Sequence, residues 1–396
     1  MCQPSPRAES STPELADVLR IYGPAFAATH PLVPVQQRAL RAIVNCRTEA
    51  LGAQMMRCDR CGHQVVRYHS CRNRHCPKCQ AGAKERWVQA RQAELLPVEY
   101  FHVVFTLPHE LNPLARGAPC LIYRLLFQCA TQTLLAFARD PKWLGATPGI
   151  TAILHTWDQR LNQHLHLHCL VSGGGLDEDG HWVASKPHFL FPVRALSKVF
   201  RGKLCEALAQ AFEKGEVHLP QGDDASVHID YLATLRAKPW VVYAKPPFAG
   251  PQQVLAYLGR YTHRTAIGNH RIVAIDQDEI RFRWRDRAHG DKQRHLSLPA
   301  ETFIERFMRH ILPKGFQRIR HYGLLGNRCK RERLALARQA LAVPAPEPSE
   351  PETVEVFMLR VSGIDIDRCP NCGMGQLRAF GELGRSMPVR ATGPPP

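Results

Sequence analysis

Hydrophobic and polar positions alternate most regularly along His164-Leu165-His166-Leu167-His168-Cys169-Leu170-Val171, the period of two expected of a β-strand. Leu165, Leu167, Cys169 and Val171 should face a core, while His164, His166 and His168 line the opposite face. The run ends in Ser172-Gly173-Gly174-Gly175, which reads as a turn or loop. Residues 101–107, 150–157 and 240–244 also read as strands. Helical spacing predicts helices over 33–51 (Val35, Leu40, Ile43, Val44), 83–96 (stopped by Pro97), 120–138 and 197–214, with another opening at Pro251. Residues 271–275 and 279–285 form an expected hairpin around Asp276-Gln277-Asp278. In its second strand Ile280, Phe282 and Trp284 share one face, and Arg281, Arg283 and Arg285 the other.

Strands and helices mixed without strict βαβ alternation predict an α+β fold with a largely antiparallel sheet. The expected organisation is a mobile N-terminus (1–33), a helix plus zinc-binding domain (34–98), a main catalytic domain (99–298), a basic helical region (299–341), a Pro/Glu linker (342–355) and a C-terminal tail (356–396). No internal repeat is evident.

Charge narrows the class of partner. The 396 residues carry 52 Lys+Arg against 35 Asp+Glu, a formal net charge of +17, which points to a polyanion, most simply nucleic acid. A 44% hydrophobic content with 16 Phe excludes a wholly disordered chain. No stretch approaches ~18 uninterrupted apolar residues, and the N-terminus lacks a basic-then-apolar leader. The reading is therefore a soluble, cytoplasmic, DNA-associated protein with no membrane partner.

The 14 cysteines are clustered rather than spread: Cys58-Asp59-Arg60-Cys61, Cys71 and His75-Cys76-Pro77-Lys78-Cys79 lie close together. Each CxxC puts two thiolates on one tight turn. Cys58, Cys61, Cys76 and Cys79 therefore make the expected tetrahedral zinc set, with Gln64–Tyr68 as the strand of a zinc ribbon. Cys71 and His75 are further candidates in the same segment, as are His63 and His69. Arg57, Arg60, Arg67, Arg72 and Arg74 give the ribbon a basic surface. Near the C-terminus Cys369-Pro370-Asn371-Cys372 is half a site, whose partners would have to come from elsewhere in the fold.

Imidazoles two residues apart on a strand are rooted about 7 Å apart and can converge on one ion. After Pro251 the helix places Tyr257 and Tyr261 one turn apart, with Arg260 and Arg264 beside them to hold phosphate. A divalent ion on imidazoles, tyrosine hydroxyls and a basic chain together suit phosphodiester transfer through a phosphotyrosine.

In these stretches the chain resembles the two-tyrosine HUH transposases of bacterial insertion sequences that move by a rolling-circle route, with the zinc-binding domain that precedes their nuclease domain. The resemblance rests on Tyr68–Cys79, Tyr100–Pro108, His164–Gly175, Tyr257-Leu258-Gly259-Arg260-Tyr261-Thr262-His263-Arg264 and Arg320-His321-Tyr322-Gly323-Leu324-Leu325, in one order over about 35–335. It implies an HUH-type nuclease domain over 99–298, with a central antiparallel sheet and flanking helices. His166 and His168 become the metal pair for Mg²⁺ or Mn²⁺, and Tyr257 and Tyr261 the nucleophiles. The third ligand is a polar residue: Gln253, one turn before Tyr257, with His164 and His263 as competitors. The implied activity is cleavage and rejoining of single-stranded DNA at element ends, leaving a 5′-phosphotyrosine and a free 3′-OH. Arg260, Arg264, Arg281, Arg283 and Arg285 are the expected DNA contacts.

Three rivals stand beside this reading. One is a non-catalytic zinc-ribbon DNA-binding protein, another a replication initiator or relaxase with the same chemistry. In the third, the histidine cluster activates water and leaves a free 5′-phosphate without an adduct.

Overall fold

A computed structural model describes residues 12–245, 253–254, 259, 266–286, 289–345 and 352–385. It divides into two compact units, one formed by residues 1–86, 263–311 and 349–396, the other by 87–262 and 312–348. Every strand pairing in the described sheets is antiparallel.

The second unit carries a six-stranded sheet. Its strands are β3 (Tyr100–Thr106), β4 (Thr147–Trp157), β5 (Gln163–Leu176), β6 (Trp182–Ala184), β7 (Val242–Lys245) and β11 (Ile319–Gly323). The order is β11-β4-β5-β3-β7, with β6 paired to the end of β5. One face carries the main core: Phe101, Val103 and Phe105 of β3, Ile150, Ala152 and Leu154 of β4, and Leu165, Leu167, Cys169 and Val171 of β5. The short α4 (Asn112–Gly117) and the longer α5 (Pro119–Arg139), α6 (Val193–Glu213) and α7 (Ala225–Ala237) contribute to the same core. Helix α5 is long and apolar enough by composition to cross a membrane. Its Ile122, Leu126, Ala130 and Leu134 nevertheless recur at helical spacing and sit in this core.

The expected turn at Ser172–Gly175 is instead a continuation of β5 through Leu176. The glycines serve close backbone approach: a Cβ on Gly175 would stand 2.4 Å from the Thr147 carbonyl oxygen, and one on Gly174 2.6 Å from the Trp182 ring. The missing side chains let β4 and β6 flank β5.

The first unit holds two three-stranded sheets. In one, β1 (Ala53–Cys58) lies between β2 (Gln64–Tyr68) and β12 (Leu377–Leu383). In the other, β9 (Glu279–Asp286) lies between β8 (Ile272–Asp276) and β10 (Lys292–Pro299). The β8–β9 hairpin turns through Gln277 and Asp278, both at positive φ (40° and 68°), which suits a two-residue turn matched to strand twist. Helix α1 (Leu15–Thr29) packs against α2 (Pro34–Val44) and α8 (Ala300–Met308). Helix α3 (Pro77–Gln92) follows the cysteine-rich segment, and α10 (Val354–Ser362) precedes the C-terminal strand.

Four expectations are corrected. The stretch before residue 33 is not wholly mobile, because α1 buries Leu15, Val18, Leu19 and Phe26. The 299–341 region is not wholly helical: between α8 and α9 (Lys330–Ala340), β11 joins the histidine-bearing sheet beside β4. That strand is short and basic, so its pairing, not its pattern, defines it. Conversely, β8–β10 fall within 99–298 but belong to the first unit's second sheet. The described part of the tail, up to residue 385, contains the end of a helix and a strand that completes the ribbon sheet.

Candidate functional site

The alternation in β5 puts His166 and His168 on the sheet face opposite the main core. Cross-strand register adds a third ring: His155 of β4 lies directly opposite His166. The ligating atoms of His155, His166 and His168 lie within 4.8 Å of one another. Their ring centroids are 4.4 Å (His155–His168), 4.8 Å (His166–His168) and 5.2 Å (His155–His166) apart. His155 and His168 are buried and His166 half-buried. His164 is exposed and outside this cluster, although its ring centroid lies 4.8 Å from that of His166.

Two hydrogen bonds orient the imidazoles. His166 Nδ1 is 2.9 Å from the His164 carbonyl oxygen, so Nδ1–H donates to it. His168 Nδ1 is 2.8 Å from Nε2 of buried His102 on β3. Burial, reinforced by the positive charge of Lys245, pushes His102 down to about 3, so that ring is neutral at physiological pH and can accept from His168. Both bonds leave Nε2 of these two rings available to coordinate, the arrangement by which outer partners usually fix metal-ligating histidines. The donor set therefore fits a divalent transition-metal ion.

Farther along the same face, His321 of β11 pairs with Thr151, its Nδ1 being 3.0 Å from the hydroxyl. Burial, with Arg91 and Lys330 nearby, lowers it to about 4. Arg91 contacts its Nε2 at 3.3 Å and pairs with Glu94 at 2.9 Å.

Tyr257, Tyr261, Arg260, His263 and Arg264 lie outside the described residues. Of the helix expected after Pro251, only Gln253, Val254 and Gly259 are described, each as helical. Gln253 is exposed, whereas Val254 is fully buried with Tyr100, Ile153 and Leu170. Ile153 is the register partner of His168, and Leu170 follows His168 by two on the same face.

The expected zinc set is corrected. Cys58, Cys61, Cys76 and Cys79 do not come together; they divide between two four-cysteine groups. Cys76 and Cys79 meet Cys71 and Cys46, with Sγ–Sγ distances of 3.6 Å for both Cys46–Cys79 and Cys71–Cys79. The edge of a tetrahedral zinc–thiolate site is about 3.8 Å, from Zn–S bonds of about 2.3 Å. Cys79 stands in the first turn of α3, where the helix dipole favours thiolate, and hydrogen bonding from Cys46 and Cys71 holds it far below the ordinary thiol range. His75 is buried but bonds to the Asn73 side chain at 3.1 Å rather than joining the sulfurs. His63 and His69 are exposed. Cys58 and Cys61 meet Cys369 and Cys372.

Sequence reasoning missed His155, His102 and Cys46. Each stands alone in the chain, and only strand register or chain reversal brings it to its partners. Arg281, Arg283 and Arg285 are exposed along β9, alternating with buried Ile280 and Phe282. Arg285 pairs with Asp291 at 2.8 Å.

Comparison with known proteins fits this geometry. A family model described as "Transposase zinc-binding domain" matches residues 18–107, and one described as "Putative transposase" matches 149–333. The chain is 47% identical over 376 residues to "Putative transposase y4qJ" of Sinorhizobium fredii, covering 93% of this chain and 94% of that one. It is 28% identical over 350 residues to "Transposase for insertion sequence element IS801" of Pseudomonas savastanoi pv. phaseolicola, covering 86% and 82%.

Proposed function

Because this chain belongs to the IS91/IS801 family of insertion-sequence transposases, which carry a zinc-binding domain, we propose that it cuts and rejoins single-stranded DNA at element ends through a phosphotyrosine. The observation that carries this reading is the cluster of His155, His166 and His168, oriented by His102 and the His164 carbonyl. Support for the nucleophiles comes from Val254. It lies three residues before Tyr257 and packs on the histidine-bearing face, beside the register partner of His168.

His155, His166 and His168 would hold a divalent cation, with Gln253, four residues before Tyr257, a further donor. When bound, that cation polarises the scissile phosphate and offsets its developing negative charge. Tyr257 or Tyr261 attacks the phosphorus through its phenolic oxygen. The bond to the 3′-oxygen breaks, leaving a free 3′-OH on one strand and a 5′-phosphotyrosine on the other. A 3′-OH then attacks that phosphotyrosine and frees the phenol, so the bond energy is conserved and no ATP is needed. With two tyrosines, one holds the cut strand while the other opens the next junction. Arg260 and Arg264 hold phosphate near the tyrosines, and Arg281, Arg283 and Arg285 track the backbone elsewhere. Cys46, Cys71, Cys76 and Cys79 hold structural zinc. The enzyme would act in the cytoplasm, on the DNA of the element and its target.

The test incubates the full chain with single-stranded element-end oligonucleotides and Mn²⁺, then resolves the mixture under denaturing conditions. A protein–DNA adduct that survives denaturation and disappears in the Tyr257→Phe/Tyr261→Phe double variant is the expected result. Cleavage to a free 5′-phosphate with no adduct would replace this mechanism by metal-activated water. Binding without cleavage would leave a zinc-bearing DNA-binding protein.

A further inference from the structure

We infer that a second zinc ion is held by Cys58, Cys61, Cys369 and Cys372, clasping the C-terminal segment onto the N-terminal hairpin. The four sulfurs lie within 4.8 Å of one another, with Cys58–Cys372 at 3.8 Å and Cys61–Cys369 at 3.7 Å. A disulfide would bring two of them to about 2.05 Å, whereas about 3.8 Å is the edge of a zinc–tetrathiolate tetrahedron.

The local backbone is built alike on both sides. Cys58-Asp59-Arg60-Cys61-Gly62 and Cys369-Pro370-Asn371-Cys372-Gly373 each end in a glycine at positive φ, 74° and 63°. Each glycine N–H donates to the carbonyl of the first cysteine, at 3.2 and 2.9 Å. Backbone donors also point at sulfur: Arg60 and Cys61 N–H each lie 3.4 Å from Cys58 Sγ, and Gly375 N–H lies 3.3 Å from Cys372 Sγ. Such donors stabilise thiolate, the form that binds metal. Gly375 has no room for a side chain, since a Cβ there would lie 2.4 Å from Cys58 Sγ.

The rest of the ribbon depends on the same closure. Strand β12 pairs along the whole length of β1, from Ala53↔Leu383 to Cys58↔Leu377. Arg67 of β2 pairs with Asp367 at 3.1 Å. The apolar cluster beneath is small: Met56, Cys58, Cys369 and Leu377, with Val65 and Cys372 at its edge. So little buried hydrocarbon cannot by itself order the loop around Cys369, and a bound metal supplies folding free energy directly. The ribbon is thus assembled from two CxxC turns whose facing cysteines stand 308 and 314 residues apart in sequence.

The experiment needs no DNA, so its failure is distinct from failure of the strand-transfer reading. Zinc in the purified full chain is counted by elemental analysis under reducing conditions, beside a Cys369→Ser/Cys372→Ser variant. One fewer zinc per chain in the variant is expected. Should that variant fold poorly, the wild-type chain is alkylated with N-ethylmaleimide and mapped by mass spectrometry before and after zinc chelation. Cys58, Cys61, Cys369 and Cys372 should be protected together and become labelled together when the chelator is added. Equal zinc content in the two proteins, labelling of Cys369 and Cys372 before chelation, or a disulfide among the four would overturn the assignment.

Discussion

Nε2 of His102 on β3 lies 2.8 Å from Nδ1 of His168 on β5, and both residues are buried. With His102 neutral, its Nε2 can accept Nδ1–H of His168, which fixes the His168 tautomer and leaves Nε2 of that ring able to coordinate a metal. In the proposed mechanism His102 is therefore a positioning residue that acts through His168. His102→Leu should raise the Mn²⁺ concentration for half-maximal adduct formation about 10- to 100-fold, the usual cost of losing such a partner. The maximal rate should return at saturating metal, and His102→Gln, which restores an acceptor, should recover part of the affinity. A space-filling role alone would leave the metal dependence of His102→Leu at the wild-type value.

His155 sits opposite His166 in register and is buried with the cluster, whereas Gln253 is exposed and His164 lies outside it. These positions rank the candidates for third ligand. Metal titration of single variants should show His155→Ala losing at least about 10-fold in Mn²⁺ affinity, a loss on the scale of disrupting even an outer partner. Gln253→Ala and His164→Ala should lose less. Equal or greater loss in Gln253→Ala would return the third position to Gln253.

Three imidazoles make a nitrogen donor set, while Mg²⁺ prefers oxygen and near-ideal octahedral geometry. The choice of ion follows from that chemistry. Oligonucleotide cleavage should proceed with Mn²⁺ at concentrations well below those needed with Mg²⁺, and Co²⁺ should substitute. A preference for Mg²⁺ at equal concentration would indicate carboxylate or phosphate oxygens as the principal ligands.

Much of this architecture was legible in local pattern. The alternation of Leu165, Leu167, Cys169 and Val171 against His166 and His168 places the two sets on opposite sheet faces, because period-two hydrophobicity is a local property. The β8–β9 hairpin and helix α5 follow from pattern in the same way. What pattern could not reach is pairing at a distance. His155 becomes a neighbour of His166 through β4–β5 register, and β11 is a strand because β4 offers it an edge. The zinc set went astray for the same reason. Two adjacent CxxC turns look sufficient for one ion, yet each takes its other pair from elsewhere, Cys46 and the intervening Cys71 in one case and Cys369 and Cys372 in the other. The glycines after Ser172 mislead in another way, since glycine marks turns and close strand contacts alike.

Cys46 follows α2 and is almost fully buried, 3.6 Å from Cys79. Nothing in its own sequence neighbourhood marks it as a ligand. Neither β2 nor α3 buries a side chain fully, so the 64–92 segment has little core to hold it without metal. Cys46→Ser should lower the zinc content by one per chain and expose residues 46–79 to limited proteolysis. Cys120→Ser, at an exposed cysteine outside both groups, should change neither. Unaltered zinc content in Cys46→Ser would remove Cys46 from the site.

Arg281, Arg283 and Arg285 project from β9 beside exposed Ser297, His295 and Gln293 on β10, while Ile280 and Phe282 anchor the strand from beneath. Removing these exposed side chains should cost the fold little. If they contact phosphate, each loss should weaken single-stranded DNA binding regardless of sequence. It should also reduce the slope of log affinity against log salt by about 0.7 per contact. Arg281→Ala and Arg283→Ala should each show this shift in a fluorescence-anisotropy titration over a range of NaCl. Arg285→Ala should show less, because Asp291 already offsets its charge at 2.8 Å. A double Arg281→Ala/Arg283→Ala variant with an unchanged salt slope would mean that this arginine face is turned to solvent and that the DNA path runs elsewhere.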